Sequence, residues 1–512
     1  MDLSHQQKAL DKIRDKKTEI INKPDSFLNK LFKAQKLVTV VTAAYNAESF
    51  IEKTIDSVIA QTIGMANIQY IIVDDCSTDR TPEIIRGYAA MHKNIIFVSL
   101  KENTGSPGLP RNIGIELATS PYITFLDADD WLAKDGIEHL YKILKETGDD
   151  YAVGKTIKIE DKGNSVIGEF ASVKERRSIS PFSIPHFFYH MGPTARMMSL
   201  PLLKQHNIRF PEMRFGEDKF FFINVFLYAN AVSTTTAPIY YVNRTGENAS
   251  SLTRITHVLD KRRADLKIVD YIKSLSLDVD KEKVILNRIY EYDILKTFDS
   301  MLFVRSAKQQ DFFEVLQNAV DTTKDLRYDF KEEIQSPLLR AALDLFLEGR
   351  EQDVSELFNW YKNHKGKKHV IRGGMAYYEV PFLEEERRYI RMLMLANALD
   401  SYIINGQYVQ TFEIFGDALD NINSVLIRDR SEFSNEIECS FHIEGNFGQF
   451  QVRYDELEKL DNALFTVFIR YNDYQLINIK RITTIPHSEN GRMFEFYTSK
   501  ANNLSLSIKK AK

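Results

Sequence analysis

Three acidic clusters and one glycine-containing loop carry most of the chemical capacity in the first half of this 512-residue chain. Asp74-Asp75 closes an apolar run. A carboxylate there can accept the imide N–H of a uracil ring, and Tyr45 offers a face on which that base can stack. Asp127, Asp129 and Asp130 close another apolar run. Carboxylates spaced by two on an extended segment point the same way and can serve one divalent cation. Such hard oxygen ligands suit Mg²⁺ or Mn²⁺ holding a diphosphate. Between them lies Asn103-Thr-Gly-Ser-Pro-Gly-Leu-Pro-Arg111, whose glycines let backbone approach a ligand closely and whose Arg111 opens a helix. Glu217-Asp218 precedes a long apolar helix. Singly, each cluster is weak: an Asp-x-Asp arises by chance in many chains, Asp74-Asp75 could cap a turn, and acids favour helix N-termini anyway. Their order, with the upstream sets at strand ends, is far more specific.

The elements that must hold these residues read clearly from periodicity. Residues 37–42 are continuous and β-branched, as a buried parallel strand should be. Residues 48–60 place Phe50, Ile51, Ile55, Val58 and Ile59 on one helical face. Strands are predicted at 70–73, 95–100 and 122–126, and helices at 81–91 and 111–118. Alternating strands and helices mean an α/β fold with a parallel sheet, whose ligands gather at the carboxyl ends of the strands. Residues 137–260 are less regular, apart from an apolar helix at 220–229. Residues 258–365 are mostly helical, and a charged, glycine-containing break follows at 362–369. Beyond it, alternating segments such as 408–415, 437–443, 465–471 and 494–497 read as a small β-sandwich. The expected organisation is a helical extension over 1–35, an α/β domain over 36–257, a helical region over 258–368 and a sandwich over 369–512.

Composition narrows the classes. Apolar residues make up 44%, charged residues 27%, and the net charge is −4. That is globular composition and disfavours a nucleic-acid binder. Two cysteines, Cys76 and Cys439, make neither a disulfide framework nor a cysteine-rich zinc site. No apolar run approaches the ~20 residues of a spanning helix and no signal peptide opens the chain, so a cytoplasmic protein is expected. The Lys-rich segment 1–35, with Ile13, Ile20, Phe27, Leu28, Leu31 and Phe32, reads as helices packed on the body. The sharper reading is a peripheral contact with the inner face of a membrane.

The combined motifs resemble the family 2 glycosyltransferases of the GT-A (Rossmann-like) fold. The carrying residues are Thr42-Ala-Ala-Tyr-Asn46, Val73-Asp-Asp-Cys-Ser-Thr-Asp79, Asn103 with Gly105 and Pro110-Arg-Asn112, Phe125-Leu-Asp-Ala-Asp-Asp130 and Phe215-Gly-Glu-Asp-Lys219. Gly105–Asn112 and Tyr240–Ser251 look closer still to the wall-teichoic-acid glycosyltransferases of Gram-positive bacteria, which move N-acetylglucosamine from a UDP-sugar to polyribitol phosphate. The resemblance implies a donor site from Ala43, Tyr45, Asp75, Asn103, Arg111, Asp127 and Ala128, with Arg244 and Ser251 near the diphosphate. It implies Mn²⁺ or Mg²⁺ on Asp129, and Asp218, with Glu217, as catalytic base of an inverting transfer. The sequence departs from these relatives at Ala43, where Pro is frequent, and at Asn248, where His is frequent. The C-terminal region loosely resembles their accessory and trimerisation regions, so a homo-oligomer, dimer or trimer, is expected.

Residues 152–254 hold thirteen basic and eight acidic side chains, a net +5. Lys155, Lys158, Lys174, Arg176, Arg177, Arg196, Arg209 and Arg214 contribute. Such a field suits a polyanionic acceptor, a teichoic acid, or is simply a solvated face. Two other readings stand beside this one: a transferase for capsular or other surface polysaccharide, and a non-catalytic cell-wall polymer binder. Retention of Asp75, Asp127, Asp129, Glu217 and Asp218 together counts against the second. His186 and His190 lack an acidic partner for zinc, Cys76 reads as a small filler, and Trp131 reads as packing rather than a sugar platform.

Overall fold

The computed structural model describes residues 4–15, 17–23, 35–246, 257–480 and 485–510. They form two units, one of residues 1–161 and 166–285, the other of residues 162–165 and 286–512.

The β-branched runs of the first unit form the parallel centre of one mixed sheet. Its strands are β1 (Glu19–Ile21), β2 (Val38–Ala44), β3 (Ile68–Asp74), β4 (Ile95–Ser99), β5 (Tyr122–Phe125), β6 (Trp131–Leu132), β7 (Tyr151–Glu160), β8 (Gly163–Ile167), β9 (Arg176–Ile179), β10 (Arg196–Ser199) and β11 (Val232–Asn243). The order is β1-β4-β3-β2-β5-β10-β7-β11-β6, with β8 on β7 and β9 on β11. β4, β3, β2 and β5 are mutually parallel; β10 joins β5 antiparallel. Every residue of β3 and β4 is buried, which explains their lack of alternation.

The helices are α1 (Ser4–Arg14), α2 (Ile51–Ile59), α3 (Thr81–Met91), α4 (Gly108–Leu117), α5 (Gly136–Thr147), α6 (Glu169–Ser172), α7 (Leu200–Gln205), α8 (Glu217–Tyr228) and α9 (Val258–Ser274). Ile13 lies in α1, whereas Ile20 lies in β1, which pairs with β4 at the sheet edge. Phe27, Leu28, Leu31 and Phe32 fall outside the described residues.

Two close local arrangements place the polar residues. Gly114 of α4 lies so near β2 that a Cβ there would collide with the Val41 side chain, so the helix is seated directly on the strand. The apolar helix predicted from 220 begins three residues earlier, at Glu217. Gly216 ahead of it has φ +84°, a conformation that glycine adopts without strain. The acidic pair therefore occupies the first helical turn.

The second unit contains helices at Gln309–Asp321, Pro337–Leu347 and Glu351–Asn363, then two sheets. The smaller sheet is β12 (Lys368–Arg372), β13 (Met375–Glu379) and β14 (Tyr389–Arg391). The larger comprises β15 (Met394–Ile404), β16 (Gln407–Gly416), β17 (Ile422–Asp429), β18 (Glu436–Glu444), β19 (Phe447–Arg453), β20 (Leu464–Tyr471), β21 (Gln475–Lys480), β22 (Ile485–Glu489), β23 (Arg492–Thr498) and β24 (Leu504–Lys510). Its order is β17-β18-β19-β16-β15-β21-β20-β24-β23-β22, and β17 also pairs with β20. That extra ladder closes seven strands into a ring, so the all-β region is barrel-like. The alternating residues Phe465, Val467 and Ile469 line its core. No helix among the described residues is long and apolar enough to cross a membrane.

Candidate active site

Asp75 follows β3 directly and is 5% exposed. Its backbone N–H donates to Ala44 O at 2.8 Å, holding it beside the end of β2. Thr104 donates to its carboxylate from the backbone (3.0 and 3.1 Å) and from Oγ1 (2.9 Å), and Asn103 Nδ2 donates to its carbonyl at 3.0 Å. The glycine-containing loop is thus tied to the strand end. Burial pushes Asp75 up to about 6, against the Thr104 hydrogen bonds that favour the ionised form. Ala43 lies near the end of β2, beside Val73, and Tyr45 is 51% exposed, its ring open to a ligand.

The loop leads into α4, whose first turn carries Arg111. This guanidinium is 4% exposed. Nη2 donates to Asp127 Oδ1 at 2.8 Å, Nη1 donates to Asp218 Oδ1 at 2.8 Å, and Glu217 Oε1 stands 3.9 Å from Nη1. Burial opposes the charge, but Asp218, Asp127 and Glu217 outweigh it and raise the Arg111 pKa. Asn112, the next residue, exchanges hydrogen bonds with the backbone of Phe210 at 2.8 and 2.9 Å, fixing α4 against the segment that leads to α8. Burial and then Asp218 push Glu217 up to about 8, with Arg111 opposing. Burial also raises Asp218, and Arg111 restrains that shift. Glu217 and Asp218 are no surface decoration of a helix end: both reach one buried cation.

After β5, the acidic turn is held from three sides. Thr54 Oγ1 of α2 donates to the carbonyls of Ala128 (3.0 Å) and Asp130 (2.7 Å). Tyr240 of β11, fully buried, donates its O–H to Asp130 Oδ2 at 2.9 Å and accepts from the Asp127 N–H at 3.0 Å. The Asn243 N–H donates to Asp130 Oδ1 at 2.7 Å. Asp130 is thereby committed to structure, and burial, with Asp129 and Asp127, raises its pKa. Arg244 follows Asn243 and so stands beside this turn.

Among the described residues, no group of three or more His, Cys, Asp or Glu side chains could hold a metal ion. In this turn Asp130 is engaged by Tyr240 and Asp127 by Arg111, and Asp129 lies between them in sequence. One carboxylate fits an ion of the Mg²⁺ type, which fills its coordination with substrate phosphates and water.

The expected residues Ala43, Tyr45, Asp75, Asn103, Arg111, Asp127, Ala128, Asp129, Glu217, Asp218 and Arg244 therefore lie along one linked set of strand ends and helix starts. Ser251 and Asn248 fall outside the described residues. Thr104, Tyr240 and Asn243 join the site as well; they lie within the Asn103–Arg111 loop and the Tyr240–Ser251 motif, but neither motif assigned them a role. Arg196 and Arg209 do not join a surface field. They are 1% and 3% exposed, Arg209 is held by Glu116 and Arg196 by His190 O at 2.9 Å. Trp131 is packing: Tyr241 stacks on it at 5.6 Å and Lys53 Nζ lies 3.1 Å from its ring centre.

Residues 39–200 match the family model described as Glycosyl transferase family 2. A poly(ribitol-phosphate) beta-glucosyltransferase of Bacillus spizizenii is 31% identical over 216 residues, 42% of this chain and 33% of that protein. The matched stretch is thus about a third of the relative's length. Among solved structures, S. aureus TarS superposes with a TM-score of 0.57 at 18% identity, covering 93% of this chain and 86% of that one. Residues 1–349 of TarS, solved in complex with UDP-GlcNAc, give 0.56 at 21% identity, covering 69% and 99%. At such identities the likeness establishes the fold: a GT-A-like domain, a helical middle and a C-terminal strand region.

Replacing Tyr240 by Phe is expected to cost about 1–3 kcal/mol, because Asp130 loses a donor where water cannot replace it. A lowered urea midpoint reads this out; an unchanged midpoint means that the hydroxyl bridge is dispensable.

Proposed function

Starting from a chain that carries a family 2 glycosyltransferase domain at residues 39–200, we propose that it transfers a sugar from a UDP-sugar to a poly(polyol phosphate) such as a teichoic acid. The observation that carries this reading is the buried Arg111, which joins the Asp127 strand end to the Glu217-Asp218 helix start. Asp75 and Tyr45 take the uracil, and Asn103 and Ala43 shape that end of the cleft. Arg244, with Ser251, meets the diphosphate.

Asp218 acts as general base on the acceptor hydroxyl. Glu217, pushed up to about 8, holds a proton at neutral pH. Asp218 lies 2.8 Å from Arg111, which restrains the rise that burial gives its pKa. Two carboxylates with separated affinities for a proton are what acid–base chemistry needs. Attack opposite the departing UDP inverts the anomeric centre. A Mg²⁺ or Mn²⁺ ion on Asp129, when bound, would offset negative charge on the leaving diphosphate. The relative named for poly(ribitol-phosphate) supports the acceptor class, and the TarS complex supports UDP-GlcNAc as the first donor to try. The same proposal includes self-association through the second unit, supported by the exposed side chains of Tyr402, Ile404 and Phe447. Light scattering on the full chain should then give a dimer or trimer mass, and a monomer mass refutes it.

The direct test incubates the protein with a panel of UDP-sugars, poly(ribitol phosphate) and Mn²⁺ or Mg²⁺, and follows UDP release. Transfer is expected with UDP-GlcNAc. Asp218→Asn should lower the rate by about 10²–10⁴ while UDP binding persists; wild-type turnover in that variant removes Asp218 from the chemistry. A second expectation concerns pH. Asp75 accepts the imide N–H hydrogen bond most strongly when ionised, and burial pushes its pKa up to about 6. UDP affinity should therefore weaken as pH falls through about 6, and Asp75→Asn should flatten that dependence. Calorimetric titration with UDP between pH 5 and 8 measures it.

A further inference from the structure

The second unit holds a cationic pocket that the transfer chemistry does not use. A cavity of about 450 Å³ opens on the barrel, lined by Arg430, Thr466, Tyr497, Ser499, Lys500 and Asn503 among others. Its size is that of a small-ligand site. Its lining contains two cations, four hydroxyl or amide side chains and no carboxylate.

Sheet register explains how the groups meet. Arg430 follows β17, and its N–H donates to Leu464 O at the start of β20. Thr466 of β20 pairs with Ser505 of β24. The Arg430 side chain crosses these two strands: Nε donates to Thr466 Oγ1 at 3.2 Å and Nη2 to Ser505 Oγ at 2.8 Å. Hydroxyls orient this guanidinium while leaving its charge unneutralised. Neighbouring Asp429 is spent elsewhere, accepting from Ser431 N at 2.7 Å and Asn435 Nδ2 at 2.8 Å.

The other wall is the turn joining β23 to β24. Ser499 N donates to Asn503 O at 2.9 Å and Asn503 N donates to Ser499 Oγ at 3.2 Å, so the turn is braced across its mouth. Asn502 sits at φ +57° within it. Lys500 projects from this turn and is exposed. A third cation approaches from β21, where Lys480 Nζ donates to Asn503 Oδ1 at 2.5 Å. Burial lowers the Lys480 pKa. Arg430, Lys480 and Lys500 thus gather around one recess of hydroxyl and amide groups, with no ion pair to any of the three among the described residues.

We propose that this recess is a second acceptor site, binding one phosphodiester of a polyol phosphate chain through Arg430 and Lys500 and the adjoining polyol hydroxyls through Tyr497, Ser499 and Asn503. The inference deepens the reading of the acceptor as a poly(polyol phosphate) and rests on it. A guanidinium held by neutral hydroxyls keeps its charge for a phosphate, and neighbouring hydroxyl and amide groups match a polyol better than a bare anion.

The test uses the full chain and two variants, Lys500→Gln and the double change Arg430→Gln with Lys500→Gln. Thermal unfolding checks that each retains the fold; Lys500 is exposed, so its single variant reports even if the double variant is unstable. The probes are poly(ribitol phosphate) and inorganic phosphate, titrated against wild type and variants at low salt. The dissociation constant for the polymer should rise roughly tenfold in the double variant and by less in the single one. The KM for the UDP-sugar should not move. Polymer affinity equal to wild type in both variants, or no polymer binding by the wild type, overturns the site. Inorganic phosphate binding as tightly as the polymer overturns it too, since an isolated anion would then be the ligand. Absence of sugar transfer by the wild type would sink the functional reading alone, because the titration needs no turnover.

Discussion

One buried guanidinium organises the candidate site. Arg111 is almost inaccessible, yet it meets Asp127 and Asp218 at 2.8 Å and lies 3.9 Å from Glu217. A charge of this kind is tolerated inside a protein only when paired, and breaking a buried pair leaves an uncompensated ion at about 3–5 kcal/mol. The arrangement therefore ties three distant segments together by necessity: the helix after the glycine loop, the end of β5 and the start of α8. It also treats the acidic pair unequally, because Arg111 lies 2.8 Å from Asp218 but 3.9 Å from Glu217 and so opposes the effect of burial more strongly at Asp218.

The same electrostatics bears on the proposed donor site. Arg111 supplies one positive charge to a cluster that already holds Asp127, Asp129 and Asp218. A nucleoside diphosphate would add negative charge to that surplus. Arg244 stands beside the acidic turn, held there by the Asn243–Asp130 hydrogen bond. A divalent ion on Asp129 would complete the compensation. Asp130 is held by Tyr240 and the Asn243 N–H, so the third aspartate of the motif serves architecture.

Basic residues need the same discrimination. Arg196 and Arg209 add to the positive count of residues 152–254, but burial removes them from any polymer's reach. Arg209 neutralises Glu116, and Arg196 lies over the Phe222 ring at 4.7 Å. In the second unit Arg430 has the opposite character, oriented by hydroxyl groups and open to solvent. Charge counted along a chain measures neither accessibility nor compensation.

The parallel strands, their helices and the acidic residues at their ends were legible in the linear chain because each depends on neighbours within a few positions. A β-branched run makes a buried strand, and a polar residue directly after it must lie at the sheet edge where ligands bind. The Asp74-Asp75 and Asp127–Asp130 clusters were visible for that reason, and Glu217-Asp218 because a long apolar helix follows it. What joins them was not. Tyr240 is more than a hundred positions from the aspartates it bridges, Thr104 reaches Asp75 through a loop, and Arg111 chooses its carboxylates only after α4 has seated on Val41. The closed ring of the C-terminal strands likewise depends on β17 pairing with β20, across more than thirty residues. Local periodicity encodes elements and the residues at their ends; which side chains then share a proton or a charge is set by packing distances that exist only once the chain has folded.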